Sequence, residues 1–337
     1  MTQISDPAAG VREVTVSDGG NTITLLAEKV ALSPGISFEP VARFGGGPVV
    51  PILHAWVAGP QTDLLKDELA AMPDGGRFVL TIPKAPFRCP PGPYERACLV
   101  ADFLKRKKPG SKVVVLDENP GIVAEAQNFG NAFSETYRGV LVYRPGMKVV
   151  GVSNNNRTVR YKPVSAAESD PYVSLKADVL NVIPPNRANA IVQAAGLADA
   201  SGFAPVDVRT FESTIAGKRG IHVLGDASGS TGLPKAGHVG NQGAKICAAA
   251  IISKLSGTPV EKGPVANSAC FSPISSTKAS WLTAVYHYDA EQKKMAVKAM
   301  SNGKLVPADP VEASGPTAEN FDQMKVWYKV LMDDTFA

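Results

Sequence analysis

Cys89 is the residue best placed for chemistry. It stands in "KAPFRCPPGPYERAC", residues 84–98, with Arg88 before it and Glu95 six positions after it. Prolines at 86, 90, 91 and 93 fix φ and remove backbone donors, so this loop cannot form the nest of N–H groups that holds a phosphate. It can hold one side chain still. A neighbouring cation and the start of a helix both favour a thiolate there. Glu95 falls in the first turn of the predicted helix, where it either moves a proton or balances the dipole, and helix position alone makes the second role the ordinary one. Cys98 and Cys247 lie among alanine, leucine and isoleucine and read as small core residues. Cys270, in "ANSACFSPIS", reads as loop-like. Four cysteines allow three complete pairings, and the residues leave the choice open. No cysteine pair has metal-ligand spacing, so no metal site is expected.

A second candidate site is "HVLGDASG". A strand ending in Gly225-Asp226 puts a small residue where backbone approaches a ligand, and a carboxylate where vicinal hydroxyls of a ribose or ribityl chain can be held. The same dipeptide also makes ordinary turns. The run Pro234-Lys235-Ala236-Gly237 before an alanine-rich helix favours the ligand reading, because that helix lacks a strong cap and its first N–H groups are available.

These sites need elements to position them. "VREVTVSDGGNTITLLAEKVALSPG" reads as two strands around a "DGGN" turn and a third strand ending at Pro34-Gly35. "QTDLLKDELAAM" is an amphipathic helix with Leu64, Leu65, Leu69 and Met72 on one face. Strand 77–83, loop 84–93, helix 94–108 and strand 112–119 make one βαβ unit. Residues 177–185 are a further buried strand. A second unit has its strand at 220–225, its loop at 226–236 and its helix at 237–255. Residues 260–337 differ in texture and read as a small α+β cap.

The chain has 337 residues, 44% apolar and 20% charged, with a net charge of +4. That suits a globular protein of two or three domains and gives no basic surface for nucleic acid. No apolar run reaches the length of a membrane span, and the opening "MTQISDPAAGVREV" has no signal-peptide pattern.

"APFRCPPGPYERA", "IPPNRA", "HVLGDASGSTGLPKAGHVGNQGAK", an isolated Cys before "FSPIS" and a closing "DDTFA" together resemble the flavoprotein subunit of flavocytochrome c sulfide dehydrogenase. The resemblance runs in order from about residue 12 and places the chain in the two-domain flavin disulfide reductase superfamily. It implies an α/β fold with a split FAD-type domain (1–42 and 188–258), a degenerate nucleotide-type domain (43–187) and a C-terminal cap (259–337). It implies FAD as cofactor and a redox-active Cys89–Cys270 disulfide beside the flavin, with Glu95 as the nearby acid. Pro34 and Gly35 would close over the flavin nucleotide. Gly225, Asp226, Pro234, Lys235, Ala236 and Gly237 would hold the ribityl chain and pyrimidine edge, and Trp327 would pack close to the ring. The family oxidises sulfide in the periplasm and passes electrons to a c-type cytochrome subunit. A sulfide:quinone reductase is the alternative within the superfamily, and a non-catalytic chain unable to hold FAD is the alternative outside it. Such proteins begin with a G-x-G-x-x-G unit for the ADP half of FAD and a cysteine that attaches the flavin. This sequence has neither, since "GGG" at 45–47 precedes proline rather than opening a helix. The expectation is a chain that enters the family late, as a fragment or a truncated form.

Overall fold

The computed structural model describes residues 3–8, 11–18 and 20–336. Gly19 of the expected "DGGN" turn, and part of the opening segment inspected for a leader, lie outside the described residues. The chain divides into two compact bodies. The first comprises Met1–Ser37, Asn186–Cys270 and Thr283–Val311; the second comprises Phe38–Pro185, Phe271–Leu282 and Glu312–Ala337. Residues 38–42 belong to the second body, and residues 259–337 are divided between the two. The α-helices among the described residues are α1 (Pro60–Ala71), α2 (Gly92–Lys107), α3 (Ala126–Asn131), α4 (Ala190–Ala194), α5 (Gly237–Leu255) and α6 (Ala318–Phe336).

The second body is built on a four-stranded parallel sheet in the order Val179–Val182, Arg77–Ile82, Lys112–Asp117, Leu141–Arg144. Its strands read as apolar runs, and Phe78, Val79, Leu80, Val113 and Val115 are fully buried, as a parallel sheet covered on both faces requires. The βαβ unit expected from the sequence is present: strand Arg77–Ile82 and strand Lys112–Asp117 pair in parallel, with α2 between them in sequence. Helix α2 buries Ala97, Val100, Ala101 and Leu104 at helical spacing, and Lys105, Arg106 and Lys107 fill its last turn, where cations suit the dipole. A second four-stranded sheet pairs Val173–Lys176, Thr158–Pro163 and Met147–Ser153 antiparallel, with Arg43–Phe44 added in parallel. In α1 the buried face is centred on Leu65. Leu64, expected on the same face, is exposed, because one residue turns it about 100° away.

In the first body, strand Val30–Leu32 pairs in parallel with Ile221–Val223, the strand that leads into Gly225. This pair ends a five-stranded sheet continued by Glu212–Ser213, Ala204–Asp207 and Ser228–Gly229. Strands Val11–Asp18 and Asn21–Ala27 form the expected antiparallel hairpin. Helix α5 lies against this core at Gly243, where an added Cβ would stand 2.8 Å from the ring of buried Phe211. Cys247 on α5 is a core residue, and burial raises its thiol to about 11.

Candidate functional site

Cys89 occupies the loop between strand Arg77–Ile82 and α2, in the left-handed region at φ 57. A non-glycine residue held there costs about 1–3 kcal/mol and persists only where the surroundings over-determine it. Here they do. Pro90 and Pro91 follow directly, and the Gly92 N–H donates back to the Cys89 carbonyl at 2.9 Å. Helix α2 begins at Gly92 with no side-chain cap, so its N-terminal charge is left facing the loop. Gly92 leaves room for its two neighbours. A Cβ on it would stand 2.9 Å from the Cys89 sulfur and 2.9 Å from the edge of Trp56.

Cys89 is exposed and lines an open groove of about 570 Å³, together with Trp56, Arg88, Glu95, Arg96 and Phe103. Glu95 has become an unusual carboxyl. Burial, reinforced by the charge of Glu125 and opposed by Arg96, pushes it up to about 8. Arg96 is clamped by the carbonyls of His54 (2.8 Å) and Ala55 (2.6 Å) and by Asn181 Oδ1 (2.9 Å), with its guanidinium 4.9 Å from the Trp56 ring centre. Burial brings Arg96 down to about 10, while the charges of Glu95 and Cys89 support its cation. Arg96 therefore presents a fixed positive charge to the sulfur. Cys98, on the same helix, is fully buried, and desolvation holds its thiol protonated.

Glu95 does not act alone. Glu125 sits at φ 52 just before α3, is 1% exposed, and accepts from Ser272 Oγ at 2.5 Å. Burial lifts its carboxyl to about 7, with the Ser272 and Ser280 hydroxyls opposing and Glu312 adding to the rise. Sequence reasoning missed Arg96 and Glu125. Arg96 carried one signal, a cation early in a helix, where the dipole works against it. Glu125 carried none, because its partner is remote in the chain.

The Gly225–Asp226 site lies in the first body. Gly225 has φ 62, and a Cβ on it would meet Ser33 Oγ at 3.4 Å. The Leu224 N–H donates to the Leu32 carbonyl at 2.8 Å, so the strand end before Pro34-Gly35 lies beside the one that leads into Gly225. Gly240, in the first turn of α5, faces the Gly225 Cα, to which an added Cβ would come within 3.6 Å. Lys235 is buried and donates to the carbonyls of Asp226 and Ser228, each at 2.8 Å, with its ammonium 3.6 Å from the Phe203 ring centre. Burial lowers it to about 8. Lys235 thus holds the loop in shape. Asp226 is half-buried, and α5 starts at Gly237 without a side-chain cap, with open space around Gly237. A carboxylate beside an uncapped helix start suits hydroxyls and a polarised carbonyl, so these residues fit the polyol and pyrimidine parts of a flavin. The closed space beneath Gly225, Pro234 and Ala236 is only about 10 Å³, which leaves the open side of Gly237 for any ring.

Cys270 belongs to the first body and stands in strand Val265–Pro273, half-buried, rather than in the loop expected from its small neighbours. Trp327, on α6 of the second body, packs against Phe271 with ring centres 5.6 Å apart. Among the described residues no cluster of His, Cys, Asp and Glu could hold a metal ion, and no helix is long and apolar enough to cross a membrane.

Residues 62–184 match the family model for the central part of the sulfide dehydrogenase [flavocytochrome c] flavoprotein chain. The resemblance read in the sequence holds for this stretch. It contains Cys89, Glu95, Arg96 and Glu125. Among solved structures, the sulfide:quinone oxidoreductase of Aquifex aeolicus superposes with a TM-score of 0.68 at 13% identity, covering 100% of this chain and 75% of that one. LpdA of Mycobacterium tuberculosis gives 0.53 at 16% identity, over 84% of this chain and 54% of that one. An HOCl-induced flavoprotein disulfide reductase of Escherichia coli gives 0.50 at 18% identity, over 84% and 56%. The fold is therefore of the two-domain flavin disulfide reductase type. The matched family is that of a flavoprotein chain, and the Escherichia coli protein is likewise a flavoprotein.

Proposed function

We propose that the chain is an FAD-dependent sulfide dehydrogenase flavoprotein that oxidises sulfide at a Cys89–Cys270 disulfide and passes electrons to a c-type cytochrome in the periplasm. The observation that carries this reading is the setting of Cys89: a sulfur held in a strained loop over an uncapped helix start, facing Arg96 and a carboxyl poised near neutrality, inside the segment matched by the family. In this reading hydrosulfide attacks one sulfur of the disulfide. A new S–S bond forms as the old one breaks, and the other cysteine leaves as a thiolate with the electron pair. Arg96 and the α2 N-terminus stabilise negative charge on Cys89, and Glu95 is the acidic group placed to exchange a proton beside it. Gly225, Asp226 and the α5 N-terminus hold the flavin, with Lys235 keeping their loop in place, and the strand end at Pro34-Gly35 lies against it. FAD, when bound, supplies the two-electron acceptor that can release electrons singly.

A sulfide:quinone reductase is the second reading. It draws on the likeness to the Aquifex aeolicus protein and on the exposed apolar side chains Val326, Tyr328, Val330 and Phe336 of α6. The test is to load the purified chain with FAD, add sulfide without oxygen, and follow flavin bleaching with either cytochrome c or a short-chain quinone as acceptor. Bleaching that requires both Cys89 and Cys270 and reduces cytochrome c supports the proposal. Equal bleaching in Cys89→Ser would overturn it, and reoxidation by quinone alone would favour the second reading.

A further inference from the structure

Asp117 ends strand Lys112–Asp117, where a nucleotide-binding βαβ unit places the acid that holds a ribose. Its carboxylate is fully buried, and four donors of the chain converge on it. Oδ2 accepts from the Tyr94 and Tyr143 hydroxyls, each at 2.8 Å. Oδ1 accepts from the Asn119 N–H at 2.9 Å and from the Asn119 side-chain amide at 2.7 Å. A carboxylate has about four acceptor sites, so this one is filled and offers none to a ribose. Burial and the charge of Asp117 push both phenols far above their usual range, so both remain donors.

These donors lead to both sides of the Cys89 loop. Tyr94 lies in the first turn of α2 and is fully buried, and only Pro90, Pro91, Gly92 and Pro93 separate it from Cys89. The prolines of that stretch fix φ, so a shift at Tyr94 passes to the sulfur instead of being absorbed. On the other side, Asn119 Oδ1 accepts from the Ala85 N–H at 2.9 Å, and the Asn119 amide donates to the Pro83 carbonyl at 3.0 Å. Beside it, Glu118 Oε2 accepts from the Lys84 N–H at 3.2 Å. Between these points Phe87 is buried while Cys89 is exposed. The loop is thus pinned before and after its sulfur, and both pins lead to one carboxylate. Tyr143, by contrast, stands on strand Leu141–Arg144, outside the loop.

We propose that Asp117 is a positioning residue for Cys89, holding the sulfur at the start of α2 by tying Tyr94 and Asn119 to one buried carboxylate. That Cys89 oxidises sulfide rests on the proposed function; the bracing of its loop does not. The backbone at Cys89 calls for such a brace, since a non-glycine residue in the left-handed region persists only where its surroundings over-determine it. Position also matters to the sulfur's charge. The uncapped first turn of α2 favours a thiolate only at close range, and a loop that drifts loses that help. The acid that would serve a nucleotide serves instead the loop standing in the place of a phosphate loop.

The test compares Tyr94→Phe with Tyr143→Phe in the reduced full chain, without flavin or sulfide. Each variant keeps its ring and removes one 2.8 Å hydrogen bond from the same oxygen, but only Tyr94 leads to the loop. Both should lower the melting temperature by about 3 °C. Carbamidomethylation of Cys89 at about pH 7 is read by mass spectrometry on the peptide that contains it. The rate should fall about threefold in Tyr94→Phe and stay within about 1.5-fold of the parent in Tyr143→Phe. Asn119→Ala, which frees Pro83 and Ala85, should slow it as Tyr94→Phe does. An unchanged or faster rate in Tyr94→Phe overturns the proposal. So does equal slowing in Tyr143→Phe, which would make Asp117 a stabiliser of the sheet edge only. Asp117→Ala should slow the reaction at least as much as Tyr94→Phe; where it does not fold, the tyrosine pair decides. In FAD-loaded protein, bleaching by sulfide should slow in Tyr94→Phe and keep the parent rate in Tyr143→Phe. A parent protein that binds FAD but is never bleached by sulfide overturns the functional reading instead, and the alkylation rates still decide the brace.

Discussion

Replacing Glu95 with Gln should stabilise the protein at alkaline pH while removing its chemistry. The Glu95 carboxyl lies at about 8 in the folded chain and near its usual 4.5 when unfolded. Between those values the native state binds more protons than the unfolded one. Stability is therefore intact below about pH 4.5, falls as pH rises, and levels off once the folded carboxyl has ionised near pH 8. The full interval corresponds to roughly 5 kcal/mol, and solvent access to a half-buried group reduces the usable part to about 3 kcal/mol. Gln keeps the shape without the charge, and the Arg96 hydrogen bonds run to His54, Ala55 and Asn181 rather than to Glu95, so they survive. Urea unfolding of the parent and of Glu95→Gln is compared at intervals from about pH 4.5 to pH 9. The two should coincide at the acid end, and the variant should lead by about 3 kcal/mol at the alkaline end. Parallel curves with a constant offset would refute the reasoning, because they would show that Glu95 carries an ordinary proton affinity in the fold.

Gly92→Ala should leave the melting temperature nearly unchanged, since better helix propensity of about 1 kcal/mol offsets the crowding, yet shift Cys89 from its place over α2. The rate of Cys89 carbamidomethylation after reduction should change several-fold, and a rate within twofold of the parent would show that the 2.9 Å approach is relieved elsewhere. Lys235→Met should destabilise the protein by about 1–3 kcal/mol, because the Asp226 and Ser228 carbonyls lose their donor, while hydrogen exchange across 226–236 quickens. On the proposed reading FAD affinity should fall about tenfold in that variant, and unchanged exchange in that loop would remove Lys235 from its positioning role.

The parallel unit was legible because its strands are buried on both faces and so read as unbroken runs of β-branched and aromatic residues. The start and end of α5 were equally plain. Cys270 was less so: "NSACFSP" has weak strand propensity, and its strand is set by pairing with Ala279–Asp289, a tertiary effect. Glu125 was invisible because "IVAEAQNF" shows only one acidic residue, whereas its meaning comes from Ser272, 147 positions away. Local pattern reports periodicity and caps. It does not report which carboxyls meet after folding.

The proposed proton-moving role of Glu95 draws on a balance of two effects at the start of α2. A carboxyl that serves a helix dipole must be ionised, and the dipole itself would pull its proton affinity down. Glu95 shows the opposite, with burial and the charge of Glu125 outweighing both the α2 N-terminus and the neighbouring Arg96. A group held neutral around pH 7 at the start of a helix is a poor cap and a good proton carrier, and it lines the same groove as the one cysteine whose backbone is strained to present its sulfur. Burial works against the role that position alone assigns, and this supports the proton-moving role proposed for Glu95.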